Sequence, residues 1–160
     1  MIRFMYVICH YWKEYKGEVP IDAFSAGTDK EGKPVYVGQI FMHGYGLLPA
    51  TIVPGSNVTF ASSQKQVIET NKDIKILCSL EGTLRWYHPK ISEELFCSIV
   101  KGGSEVDQVV HIGRAIYKGE TVLGRVFSYW DEYKGMWIAY NGKQVHITRS
   151  YEILNYNCIQ

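Results

Sequence analysis

Cys9, Cys78, Cys97 and Cys158, with His10, His43, His88, His111 and His146, are the side chains best suited to nucleophilic catalysis or metal ligation. The cysteines lie far apart with no CxxC pair, which suits neither a closed zinc site nor the dense disulfides of a small secreted domain. They read as buried thiols in a reducing compartment. The histidines form no HxH or HExxH, so a metal site would need distant segments, and no metal is expected. The chain holds no GxSxG elbow, no CGSC-like nucleophile and no phosphate-cradling glycine loop. Glu93 and Glu94 are adjacent, whereas a glycosidase couple must flank one bond from opposite sides. The expectation is a protein without enzymatic activity, metal or cofactor.

Binding is the chemistry that remains. Asp29 lies in a Thr-Asp-Lys-Glu-Gly run, where an aspartate commonly bonds its own turn. Arg125 follows Gly124, where its stem can cover apolar surface. Tyr129, Trp130, Tyr133, Trp137 and Tyr140 form an aromatic cluster suited to stacking on a sugar face or to a core between repeats. Lys134 and Lys143 are the only basic residues close to it, and 17 Lys and Arg against 16 Asp and Glu leave a net charge of +1. Nucleic acid is therefore not an expected partner.

These residues must be held by strands. Twelve Tyr, six Phe and four Trp among 15 Gly in 160 residues favour a pleated, half-buried sheet broken by turns. Alternation predicts strands in VYVGQIF, TIVPGSNVTFAS, KDIKILCS, VHIGRAI, GRVFSYW, KGMWIAYN and SYEILNY. Gly, Pro, Asn and Asp place turns at 29–33, 43–48, 54–57, 118–121 and 141–143. The segment ISEELFCSIV is open to a helix with Ser92 as its cap, but reads better as coil or strand with a single helical turn. The opening MIRFMYVICHYW reads as a first strand rather than a signal peptide or a membrane span. A cytoplasmic protein is expected, vesicle-associated or exported by an unconventional route.

A repeat runs through the chain. Residues 26–53 align with residues 101–127, so that VYVGQIF-x-x-G falls on VHIGRAI-x-x-G at an offset of about 75 residues. Gly27 then matches Gly102, Gly38 matches Gly113, Gly44 matches Gly119, and Ala50 matches Gly124. Trp12 lies opposite Trp86 or Tyr87, and KILCS opposite EILNY. The fold expected is all-β: two homologous antiparallel repeats, residues 1–79 and 80–160, related by a pseudo-twofold and packed as one compact domain.

The run Val19-Pro20-x-Asp22-Ala23, followed by Ala26-Gly27-Thr28-Asp29-x-x-Gly32-Lys33-Pro34-Val35-Tyr36-Val37-Gly38, resembles the tandem DM-nine repeat of invertebrate proteins. So do Leu48-Pro49-Ala50 and the closing Tyr151-Glu152-Ile153-Leu154. The resemblance implies lectin-like recognition of mannose, and roles in innate immunity or vesicle traffic. It also implies that the sugar meets the aspartate of an AGxD turn and the lysine of an LPxK turn. Carried across, those positions are Asp29 and Thr51 in the first copy and Ser104 and Arg125 in the second. Neither copy then keeps a complete acid–base pair, and the planar fork of Arg125 extends the expected ligands to acidic sugars.

The leading expectation is a carbohydrate-binding protein with mannose or a related glycan as partner, acting as a homodimer. Its rival is an intracellular, vesicle-associated scaffold that binds no sugar.

Overall fold

The computed structural model describes residues 10–94, 98–127 and 135–157. Cys9, Cys97, Cys158, Tyr129, Trp130, Tyr133 and Lys134, with the start of the expected first strand, lie outside them. The described residues form antiparallel sheet almost throughout. In the N-terminal half run β1 (His10–Glu14), β2 (Ser25–Thr28), β3 (Pro34–Met42), β4 (Gly46–Ile52), β5 (Thr59–Ser62), β6 (Val67–Thr70) and β7 (Ile74–Ser79). In the C-terminal half run β8 (Leu84–Tyr87), the helix α1 (Pro89–Glu94), β9 (Lys101–Glu105), β10 (Gln108–Tyr117), β11 (Glu120–Val126), β12 (Met136–Tyr140), β13 (Lys143–Ile147) and β14 (Tyr151–Tyr156).

The two halves carry matching ladders. β3 pairs with β2, β4 and β7, and β7 with β1. β10 likewise pairs with β9, β11 and β14, and β14 with β8. The registers agree: Gly38 faces Ala50 and Ile76, while Gly113 faces Gly124 and Ile153. Trp12 faces Leu77 as Trp86 faces Leu154, which makes Trp86 rather than Tyr87 the match to Trp12. Both glycines stand where a side chain has no room. A Cβ at Gly38 would come within 2.7 Å of Ile52 Cγ1, and one at Gly113 within 2.7 Å of Val126 Cγ2.

Alternation sorts the apolar residues into three cores. Ile40, Leu48, Ile52, Ile68 and Ile76 pack under the β5–β6 hairpin in the first half. Val122, Val126, Met136, Ile138 and Ile153 pack beneath the β12–β13 hairpin in the second. On the opposite faces of β3 and β10, Val37 and Ile112 join Leu77, Leu123 and Leu154 of β7, β11 and β14 in a shared core. Because both faces of these strands are covered, Val37 and Ile40 on β3 and Ile112 on β10 are fully buried.

Side chains also stitch the halves together. Gln39 Nε2 donates to the Gly102 carbonyl and Arg114 Nη1 to the Ala26 carbonyl, each at 2.7 Å. β4 meets β9 at Leu47 opposite Ser104, and the Thr28 N–H donates to Thr121 Oγ1 at 3.2 Å. Pro49, without an N–H, limits further pairing along β4.

The structure departs from the sequence reading in the linking segments. TIVPGSNVTFAS divides into the end of β4 and the separate strand β5, because the turn at 54–57 turns the chain out of the main sheet. In α1 the residue acting as cap is His88, whose Nδ1 accepts the Lys90 N–H at 3.3 Å. Ser92 lies inside the helix, fully buried, with its hydroxyl bonded to Asn155 Oδ1 at 2.6 Å. Among the described residues no helix is long and apolar enough to cross a membrane.

Candidate functional site

Strand pairing sets Arg125 opposite Trp137, and Trp137 opposite His146, so the three side chains stand in a row on one face across β11, β12 and β13. The period of two adds Phe127 and Gln144 to that face. The Trp137 and His146 rings stack at 4.3 Å with 5° between their planes. The Arg125 guanidinium lies 4.8 Å from the Phe127 ring centre and 6.0 Å from that of Trp137, within cation–π range.

Into this face leans the turn between β5 and β6 of the other half. Arg125 Nε donates to Ser62 Oγ at 3.2 Å and Nη2 to the Ser63 carbonyl at 2.8 Å. Nη1 donates to Glu105 Oε2 at 2.9 Å. Glu105 Oε1 in turn accepts the Gln64 N–H at 3.1 Å. The Ser62 hydroxyl donates to Gln144 Oε1, leaving the Gln144 NH2 as the donor that residue offers. The result is a cleft of about 340 Å³ lined by Gln64, Gln108, Arg125, Phe127, Trp137 and Gln144. That volume lies in the range of small-molecule sites.

Arg125 and Glu105 are an ion pair with side chains 4% and 2% exposed. Burial pushes the Glu105 carboxyl above its ordinary value, with the Arg125 charge acting the other way. Burial likewise lowers the Arg125 guanidinium, opposed by Glu105. Attraction therefore offsets only part of the cost of taking both charges out of water.

A second cleft, of about 350 Å³, occupies the matching place on the other side. It is lined by Thr51, Val53, Phe60, Glu120, Tyr140 and Asn141 among others. Thr51 takes the position of Arg125: Val37 faces Thr51 as Ile112 faces Arg125. Both clefts are built from residues of both halves.

The four residues expected to bind are thus distributed unevenly. Arg125 lines the first cleft and Thr51 the second, where Thr51 Oγ1 also accepts the Leu123 N–H at 2.8 Å. Asp29 lines neither cleft. Its Oδ1 accepts the N–H groups of Glu31 and Lys33, each at 2.9 Å, and so closes the β2–β3 turn. Next to it, Tyr140 as the main influence, with Glu120 adding, raises the Lys30 ammonium pKa. Ser104 also lines neither cleft, and the register shows it to be the match of Thr28, not of Asp29. Thr28 faces Pro34 as Ser104 faces Val109, so the residue after each, Asp29 and Glu105, correspond. Four residues lie between Ser104 and Val109 against five between Thr28 and Pro34, and that one missing residue displaced a constant-offset alignment by one. The second half accordingly keeps an acid–base pair, Glu105 with Arg125.

Glu105, Phe127 and the three glutamines were not singled out by sequence. The signal lay in the alternation of Arg125 with Phe127 and of Gln144 with His146, and in the shortened turn. Of the aromatic cluster, Trp137 lines the first cleft and Tyr140 the second. Among the described residues no group of three His, Cys, Asp or Glu converges as metal ligands do.

A family model described as DM9 repeat matches residues 40–147, more than half of the chain. No curated protein matches the chain.

Proposed function

We propose, from the premise that this chain belongs to the DM9 repeat family, that it is a non-enzymatic carbohydrate-binding protein of the mannose-recognising type. The sugar occupies the cleft of Arg125 and Trp137. The single observation that carries this reading is the composition of that cleft, whose lining joins the aromatic side chains of Trp137 and Phe127 to the amides of Gln64, Gln108 and Gln144. A pyranose ring presents C–H groups that pack against aromatic side chains, for Trp137 away from the face that His146 covers, while its hydroxyls both donate and accept. Primary amides match those hydroxyls because each carries donors and an acceptor. The matching ladders of the two halves support descent of both from one repeat, with the second cleft as the altered copy. A role in innate immunity follows if the glycan is foreign.

Calorimetric titration with mannose tests the reading. Binding that is lost in Trp137→Ala, with the fold retained, supports it. A flat titration of folded protein across a panel of neutral hexoses removes it.

A further inference from the structure

We propose that the Arg125 cleft accepts neutral glycans and rejects anionic ones, and that Glu105 sets this selectivity by neutralising the guanidinium without touching the ligand. The proposal rests on the carbohydrate reading above and adds the class of sugar.

An arginine in a cleft ordinarily invites a carboxylate or phosphate, because its fork and charge suit both. Here that invitation is withdrawn. The Glu105 carboxylate already holds Nη1 at 2.9 Å, and Ser62 Oγ and the Ser63 carbonyl hold Nε and Nη2. Three of the five N–H donors are committed, and the pair as a unit carries no net charge. Among the described residues the other lining side chains, Gln64, Gln108, Phe127, Trp137 and Gln144, are uncharged. A carboxylate entering the cleft would leave water, meet no uncompensated cation among the described residues, and approach a second carboxylate buried just behind the guanidinium. A neutral hydroxyl incurs neither cost, and the unused N–H groups of Arg125 remain free to donate to it. Glu105 is 2% exposed in its side chain, so it acts through Arg125 as a positioning residue.

The test is calorimetry of the folded chain with methyl mannoside and, separately, with glucuronate. The expected result is glucuronate affinity at least about tenfold below that of the mannoside, the scale of an unpaired charge at a recognition site. Mannoside affinity should change by less than about twofold between roughly 20 and 300 mM salt, because no net charge is neutralised on binding. Glu105→Gln keeps the shape and exposes the guanidinium charge. It should raise glucuronate affinity relative to mannoside by at least about tenfold and make that binding salt-sensitive. Glucuronate bound by the unaltered protein as tightly as mannoside overturns the selectivity and leaves the carbohydrate reading standing. An unchanged ratio in folded Glu105→Gln overturns the role of Glu105. Silence toward both sugars overturns both readings. Should Glu105→Gln fail to fold, the sugar ratio and salt response of the unaltered protein still decide the selectivity.

Discussion

Replacing Arg125 by Met removes a cation from a site where its partner Glu105 is 2% exposed. The chain also loses the bonds from Arg125 to Ser62 Oγ and the Ser63 carbonyl, which tie the β5–β6 turn to β11. Stranding one member of a buried ion pair costs about 3–5 kcal/mol. In a chain of this length that lowers Tm by about 6–20 °C, at about 2–4 °C per kcal/mol. Converting Glu105 to Met as well removes the stranded charge, so the double variant should recover most of the loss. Urea unfolding followed by tryptophan fluorescence on the four proteins of the cycle measures the coupling. pH supplies a second signature. Burial raises the Glu105 pKa above the ordinary 4.5, and without Arg125 the opposing pull disappears. A raised folded-state pKa favours folding at low pH, and that advantage is lost as pH rises through the folded value. The Arg125→Met penalty should therefore be small near the unfolded value and grow as pH rises above it. Single variants losing less than about 1 kcal/mol, or a double variant losing the sum of the singles, would refute the view of Arg125 and Glu105 as one buried unit.

Other consequences are open to measurement. Gly38→Ala and Gly113→Ala should each lose about 1–3 kcal/mol in chemical denaturation, since the new Cβ meets Ile52 or Val126 in a filled core. Similar losses at both positions are the expected result, and a neutral outcome at either would mean that the strands there have room to separate. Burial lowers the pKa values of His111 and His10 below the ordinary 6.5, so their neutral forms favour folding above that value. That contribution is lost as pH falls through the lowered values, so Tm should drop on acidification below 6.5 and drop less in His111→Gln. Gln39→Leu removes the donor to the Gly102 carbonyl and strands a buried acceptor, a loss of about 1–3 kcal/mol visible in the same unfolding experiment.

Much of the fold was legible in the sequence because burial on one face of a strand enforces a period of two. VYVGQIF and VHIGRAI became the central strands β3 and β10, and the glycines paired by alignment, Gly38 and Gly113, occupy matching registers. Short connections were less legible. Nothing in the alternation around Pro54 shows that β5 and β6 leave the main sheet to form a separate hairpin. The site was half legible for a related reason. A turn can lose one residue without changing the hydrophobic pattern on either side of it, and that loss concealed Glu105 behind Ser104. Gln64 joins Gln108 and Gln144 only when the two halves dock, a relation of distant segments that no local pattern records.

The central claim is that a sugar lies in the cleft between the halves. The most direct measurement is a crystal of the chain grown or soaked with mannose. The account predicts a pyranose against Trp137, with its hydroxyls bonded to the amides of Gln64, Gln108 and Gln144 and to Arg125. A sugar bound instead at the Asp29 turn, or a cleft occupied only by water at saturating mannose, would contradict it.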